Sequence, residues 1–331
     1  MPKQLQDSVV VITGASSGIG RATALDFARQ GANVVVAARR DQLLQEVVNE
    51  CKQLSGREAV AIPTDVQDEQ SVQNLAQQAV AAFGHIDVWV NDAGVGAFGR
   101  FEETPPEIFR EVIETNFFGT VYGARAVLPY FRQQGQGTLI NVSSLLGTIA
   151  GAYYTAYTSS KFAVRAFGEG LREEIGVLDG AKNIHVCTVF PATIDTPFFH
   201  HAANYTGRAV KAMPPVYPAE QVAKTIVKLA VKPQRETYVG NAARMIGFTH
   251  NVAPGLAEVM MAKQIDTAHF KPEAAPATTG AVSSPMQTGT DISDGWQGGP
   301  QSIARTLVTA SVATAATVLL TLAWLRNRND H

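Results

Sequence analysis

Between Ser8 and Asn91 the chain alternates short runs with a continuous apolar, largely β-branched centre and longer amphipathic stretches. The runs are VVVIT, NVVVAAR, AVAIPTD and IDVWVN, and stretches such as GRATALDFARQG separate them. A strand that is apolar on both faces needs helices on both sides, and strict alternation of strand and helix makes neighbouring strands parallel. The rhythm continues through TLINVSS (Thr138–Ser144) and NIHVCTVFP (Asn183–Pro191), with a last strand expected at ETYVGN. The pattern predicts an α/β fold: one doubly wound parallel sheet of the Rossmann type, a single domain over residues 1–270.

From Lys271 to Ser302 the periodicity stops, and 17 of the 32 residues are Pro, Gly, Ser or Thr. That composition predicts a flexible, disordered linker over 271–302. Beyond it, Thr306 to Leu325 is twenty residues without a charge, ending at Trp324 and followed by Arg326 and Arg328. The length and flank are those of a membrane span, so 303–331 is expected to be a C-terminal transmembrane or membrane-associated helix. Six of the twenty are Ser or Thr, which keeps open a helix docked on the domain.

Composition excludes more than it selects. Over 331 residues, 46% are hydrophobic and 17% charged, with a formal net charge of −2, which gives no reason to expect nucleic acid as a partner. The two cysteines, Cys51 and Cys187, form no Cys-x-x-Cys or Cys/His cluster, so no metal is expected. The apolar run near the N-terminus is too short for a secretory signal, and a cytosolic fold is expected.

TGASSGIG, Thr13 to Gly20, falls between the first strand and the first helix. Gly14, Gly18 and Gly20 permit a tight turn and close approach of backbone to a pyrophosphate, while Ser16, Ser17 and Ile19 border the helix N-terminus and its amide donors. No Lys-Ser/Thr follows, which argues against a nucleoside-triphosphate loop. An acidic residue would end the second strand in an NAD site; here Arg39 stands nineteen residues beyond Gly20. A guanidinium there grips a 2′-phosphate, so NADP is favoured over NAD, read by Arg39 and a serine of the turn. Otherwise Arg39 and Arg40 are solvated residues at a strand end.

Taken together, TGASSGIG at Thr13, DV at Asp65, NDAG at Asn91, Asn116 in NFFGT, NVSS ending at Ser144, YTSSK at Tyr157 and FPATIDT after the sixth strand resemble the short-chain dehydrogenases/reductases, over Asp7 to about Asn241. The resemblance implies that Ser144 hydrogen-bonds the substrate oxygen, that Lys161 holds the nicotinamide ribose, and that Asn116 kinks its helix and holds a proton-relaying water. It also implies cofactor contacts from Asp65, Val66, Asn91, Ala93, Gly94, Pro191 and Thr193. Two departures stand out: Asp92 replaces the usual second asparagine, and Ala192 follows Pro191 where glycine is commoner.

Tyr157 and Lys161, four apart, share one face of a helix. Bringing a phenol from a pKa of about 10 to about 7 takes roughly 4 kcal/mol, and a nearby ammonium, joined by the positive nicotinamide of the oxidised cofactor, is expected to supply it, with Tyr157 as general acid/base. The variable segment after the sixth strand carries Phe198, Phe199, Tyr205 and Met213, expected to line an apolar substrate lid, while His200 and His201 are expected to face solvent. The expected activity is NADPH-linked oxidoreduction of an apolar alcohol or ketone by a membrane-anchored chain with its domain in the cytoplasm, in a possible homo-oligomer. The alternatives are a nucleotide-sensing scaffold without catalysis and a soluble cytoplasmic protein.

Overall fold

The computed structural model describes residues 5–240 and 253–297. Strands β1 (Val9–Thr13), β2 (Asn33–Ala38), β3 (Ala59–Pro63) and β4 (Val88–Asn91) alternate with helices α1 (Gly18–Arg29), α2 (Asp41–Ser55) and α3 (Glu69–Phe83). The short β5 (Ala97–Phe98) precedes α4 (Pro106–Ile113) and α5 (Gly119–Gln134), followed by β6 (Gly137–Val142), α6 (Thr155–Arg172) and β7 (Ile184–Pro191). Then come β8 (Thr193–Asp195), α7 (Phe198–His201), β9 (Ala203–Asn204), β10 (Arg208–Val210) and β11 (Val216–Pro218). The remaining elements are α8 (Ala219–Val231), β12 (Glu236–Val239), α9 (Pro254–Ala268) and β13 (Phe270–Ala274).

Among the described residues seven strands form one parallel sheet in the order β12-β7-β6-β4-β1-β2-β3. The chain lays β2 and β3 outward on one side of β1, then crosses back to lay β4, β6, β7 and β12 on the other. The direction reverses between β1 and β4, and the loops leaving the carboxyl ends of those two strands part to open a crevice.

Successive residues of each strand serve opposite faces. Val10, Ile12, Val34 and Val36 pack under α1, α2 and α8, where Phe27, Leu44 and Ile226 meet them. Val11, Val35, Trp89 and Leu139 pack on the other side against Leu75 of α3 and Val127 and Phe131 of α5. Phe131 is fully buried, and truncating such a side chain to alanine costs about 3–5 kcal/mol. This double layer is why the strands read as continuous apolar runs.

The stretch expected as a structureless linker differs from that expectation up to residue 297. It opens with β13, which pairs antiparallel with β10, and continues as irregular chain against the domain, with Val282 fully buried. The same Pro, Gly, Ser and Thr that forbid a helix there leave main-chain carbonyls without a helix ladder, and side chains of the domain take them. The apolar run 306–325 lies outside the described residues. Among the described residues no helix is long and apolar enough to cross a membrane.

Candidate active site

The glycine turn sits where β1 delivers the chain into α1. Gly14 has φ +73, and a Cβ there would lie 2.8 Å from the Ala93 backbone, so two loops cross with no room for a side chain. At Gly20 a Cβ would lie 2.4 Å from the Gly14 carbonyl oxygen, which makes it a packing residue beneath the turn. Thr13 Oγ1 accepts from the Asp92 and Ala93 amides at 3.2 and 3.3 Å, tying the loop after β4 to the turn after β1. Ser16, Ser17, Gly18 and Ile19 border one cleft together with Asp65, Val66, Ala93, Gly94, Pro191 and Thr193.

Arg39 and Arg40, at the end of β2, both reach this cleft. The serine partner expected for Arg39 belongs to its neighbour: Arg40 Nη2 donates to Ser16 Oγ at 2.9 Å and to Ser17 Oγ at 3.2 Å. Arg39 Nη2 donates instead to the Ala281 carbonyl at 2.7 Å. Burial and the Arg39 charge together lower the pKa of Arg40. Two guanidiniums so close, with hydroxyls beside them, suit a doubly charged anion. A glycine turn that leaves no room for side chains, with two arginines beside it, fits a phosphate-bearing dinucleotide.

The opposite end of the cleft holds the proposed chemistry. Ser144 follows β6 in extended backbone and its Oγ accepts from the Leu146 amide at 3.1 Å. It also hydrogen-bonds Tyr157, which stands in the first turn of α6. The adjacent Ser143 is turned away, donating to the Lys161 carbonyl at 2.9 Å and so fastening the β6 loop to α6. Lys161 is buried; its Nζ donates to the Val142 carbonyl at 2.9 Å and lies 5.6 Å from the centre of the Tyr157 ring. Ser144, Tyr157 and Lys161 are therefore brought together.

The chain's own groups do not by themselves supply the acidification expected of the ammonium together with a positive nicotinamide. The Tyr157 phenol is not made acidic by its neighbours: burial pushes it up to about 12, against which the Ser144 hydrogen bond pulls only partly, and the Asp92 carboxylate adds to the rise. The ammonium sits over the face of the ring with a backbone carbonyl and is itself lowered to about 8 by burial, with Asp92 opposing. Burial likewise raises Asp92 to about 8, while Lys161 and a hydrogen bond from the Gly20 amide act in the other direction.

Two asparagines named from the sequence do not face the cleft. Asn91 is buried beneath it, accepting from Trp89 Nε1 at 2.7 Å and donating to Asn141 Oδ1 at 3.0 Å. Asn116 is fully buried in a π-helical turn, Glu114–Phe118, that joins α4 to α5 and supplies the expected irregularity. Its Oδ1 accepts from the Val95 amide at 2.8 Å, and its Nδ2 donates to the Val95 carbonyl at 2.9 Å and Ser160 Oγ at 3.0 Å. It thereby locks the loop beyond Gly94 to α6, a positioning role.

The apolar wall is partly as expected. Phe198, Phe199 and Met213 line the cleft, with the Phe198 ring centre 5.3 Å from that of Tyr157. Tyr205 does not: it packs against the separate cluster containing Ala97 and Ile108. His201 borders the cleft and bonds the Thr288 carbonyl through Nε2 at 2.8 Å, so only His200 is largely exposed. Sequence reasoning missed Tyr154, Met261 and Ile265, which complete the wall. Met261 and Ile265 lie four apart on α9, a helical spacing visible in the sequence but silent about what it faces.

A switch-point crevice with a glycine cradle at one end and a Ser–Tyr–Lys group at the other defines a dinucleotide-dependent oxidoreductase. The family model for the short chain dehydrogenases matches residues 8–205, and the chain belongs to that family. It is 38% identical over 265 residues to an uncharacterized oxidoreductase, YxnA, of Bacillus subtilis, covering 79% of this chain and 73% of that one. It is 34% identical over 261 residues to 3-ketodihydrosphingosine reductase of Bos taurus, covering 76% and 77% respectively. Among solved structures it resembles an alcohol dehydrogenase of the archaeon Thermococcus sibiricus complexed with 5-hydroxy-NADP (TM-score 0.62, 27% identity, covering 71% of this chain and 96% of that one). The protein is an NAD(P)-dependent dehydrogenase or reductase.

Proposed function

We propose that the protein uses NADP(H) to interconvert an apolar, lipid-like ketone and its alcohol. The observation that carries the cofactor preference is the arginine pair: Arg40 between two serine hydroxyls and Arg39 beside it, with no acidic residue at the end of β2 to accept bonds from an unphosphorylated ribose. The substrate class rests on the wall that faces Tyr157, made of Leu145, Leu146, Phe198, Met213, Met261 and Ile265. The likeness to a reductase named for 3-ketodihydrosphingosine supports a carbonyl carried on an apolar chain.

The chemistry supplied by a bound nicotinamide dinucleotide is hydride transfer, with a positive ring on its oxidised side. Ser144 and Tyr157 hold the substrate oxygen, and in reduction the phenol donates its proton to that oxygen as negative charge develops there. A phenol pushed up to about 12 stays protonated and suits the acid role. In the oxidative direction Tyr157 takes the proton, which needs added positive charge beside it. Lys161 keeps the ammonium close to the ring and, with Gly94, holds the ribose side of the site. The apolar run 306–325 would anchor the chain to a membrane, with the domain on the cytoplasmic side, next to a reservoir of such substrates.

The test is turnover. NADPH and NADH are titrated against a panel of ketones of increasing alkyl length; the reading requires NADPH to be preferred and kcat/KM to rise with chain length. Equal use of both dinucleotides, or a preference for short polar ketones, would contradict it.

A further inference from the structure

Three donors at the dinucleotide end of the cleft, and Arg21 on the same helix as Gly18, have acceptors in one stretch of the chain's own tail. Arg39 Nη2 donates to the Ala281 carbonyl at 2.7 Å and Arg40 Nη1 to the Met286 carbonyl at 2.9 Å. Arg21 Nη1 donates to the Thr290 carbonyl at 2.9 Å, and the Gly18 amide to the Asp291 carbonyl at 3.0 Å. Gly18 opens α1, and its preceding residue, Ser17, gives the helix no side-chain cap. An uncapped helix N-terminus is where a phosphate oxygen would dock.

The strap is fastened at both ends. Asp195 is buried; its Oδ2 accepts from Ser293 Oγ at 2.7 Å and its Oδ1 from the Asp294 and Trp296 amides at 3.1 and 2.9 Å. The Trp296 ring packs on Phe199 and His200, with centres 5.9 and 5.0 Å away. At the other end the Ala281 amide donates to the His201 carbonyl at 2.7 Å. Gly280, at φ +54, lets the chain pass so close that a Cβ would lie 2.2 Å from that same carbonyl oxygen. The space left in the cleft, about 290 Å³, is at the lower end of what one drug-sized ligand occupies, about 300–1,000 Å³. A dinucleotide and a substrate together need more.

We propose that residues 281–296 are a resident competitor of the dinucleotide: their main-chain carbonyls hold the phosphate-binding donors, and the strap must leave before the cofactor can seat. This rests on the dinucleotide assignment of the cleft. An N–H that donates well to Asp291 cannot donate equally well to a phosphate, and a phosphate is the stronger, charge-assisted acceptor. The cofactor therefore displaces the strap at a cost to its apparent affinity set by the fraction of molecules already open.

The test uses the full-length protein and two substitutions outside the Ser–Tyr–Lys group, Trp296→Ala and Asp195→Asn, with NADPH binding followed by its fluorescence. Weakening either anchor is expected to lower Kd about tenfold, as for a strap open in about a tenth of molecules. In the unsubstituted protein, hydrogen exchange over 281–296 is expected to speed up at saturating NADPH. Unchanged or weaker NADPH binding in a folded variant, or slower exchange on binding, would overturn the proposal, the latter showing a clamp over the cofactor. The exchange measurement decides even if both variants fail to fold. Absence of binding by NADPH and NADH alike, in every form, would sink the dinucleotide assignment itself.

Discussion

The two ends of the cleft are built differently. The proton-transfer end is fixed by the domain's own packing: Ser143 ties the β6 loop to α6, Asn116 ties the loop beyond Gly94 to the same helix, and Lys161 reaches back to a β6 carbonyl. The dinucleotide end presents long cationic side chains at a strand end, and besides the Ser16 and Ser17 hydroxyls their partners come from a segment more than 240 residues away in the chain. On the proposed reading, rigidity sits where a proton moves over a short distance, and exchangeable contacts sit where a large ligand enters and leaves.

The contrast can be broken first at its rigid end. Tyr157→Phe removes the proposed proton carrier while preserving the ring that packs on Phe198, and kcat for ketone reduction is expected to fall by about 10²–10⁴ with the NADPH Kd little changed. A smaller effect is expected at the exchangeable end. Arg40→Ala deletes the guanidinium that bridges Ser16 and Ser17, and NADPH affinity is expected to drop by about 1.5–3 kcal/mol, as for a lost charged hydrogen bond, with NADH affinity nearly unchanged. Titrations with both dinucleotides separate this from general damage.

A finer effect links the two ends. Asp92 is the charge that raises Lys161 against its burial. Asp92→Asn removes that support, so Lys161, already lowered to about 8, moves lower still and loses its proton at lower pH. The alkaline limb of the kcat/KM profile is expected to move to the acid side, and a profile that stays put or moves to higher pH would show that Lys161's charge does not set the limb. The smallest effect expected is on stability: between about 10, where a phenol of the unfolded chain ionises, and about 12, where folded Tyr157 does, the folded state keeps a proton that the unfolded state loses. That contribution is fully present below pH 10 and declines as pH rises through the window. The denaturant midpoint of the native chain should fall relative to that of Tyr157→Phe across it.

Much of this was legible in the sequence, for a physical reason. Apolar runs such as VVVIT and NVVVAA are what a doubly covered parallel sheet demands, and the i, i+4 spacing of Tyr157 and Lys161 places them on one helix face wherever the helix goes. Orientation was not legible. Nothing in the spacing says that Asn91 turns under the sheet toward Asn141, that Arg40 rather than Arg39 takes the serines, or that the ammonium meets the tyrosine ring on its face. The tail was misjudged because Pro, Gly, Ser and Thr report the absence of regular structure and are silent on whether irregular chain finds partners.

The most direct measurement is single-turnover oxidation of bound NADPH by a long-chain ketone, compared between the native protein and Tyr157→Phe at equal cofactor occupancy. Hydride transfer is expected to collapse in the variant while cofactor binding stays intact. Equal rates in both would show that the phenol at the head of α6 is not the proton donor.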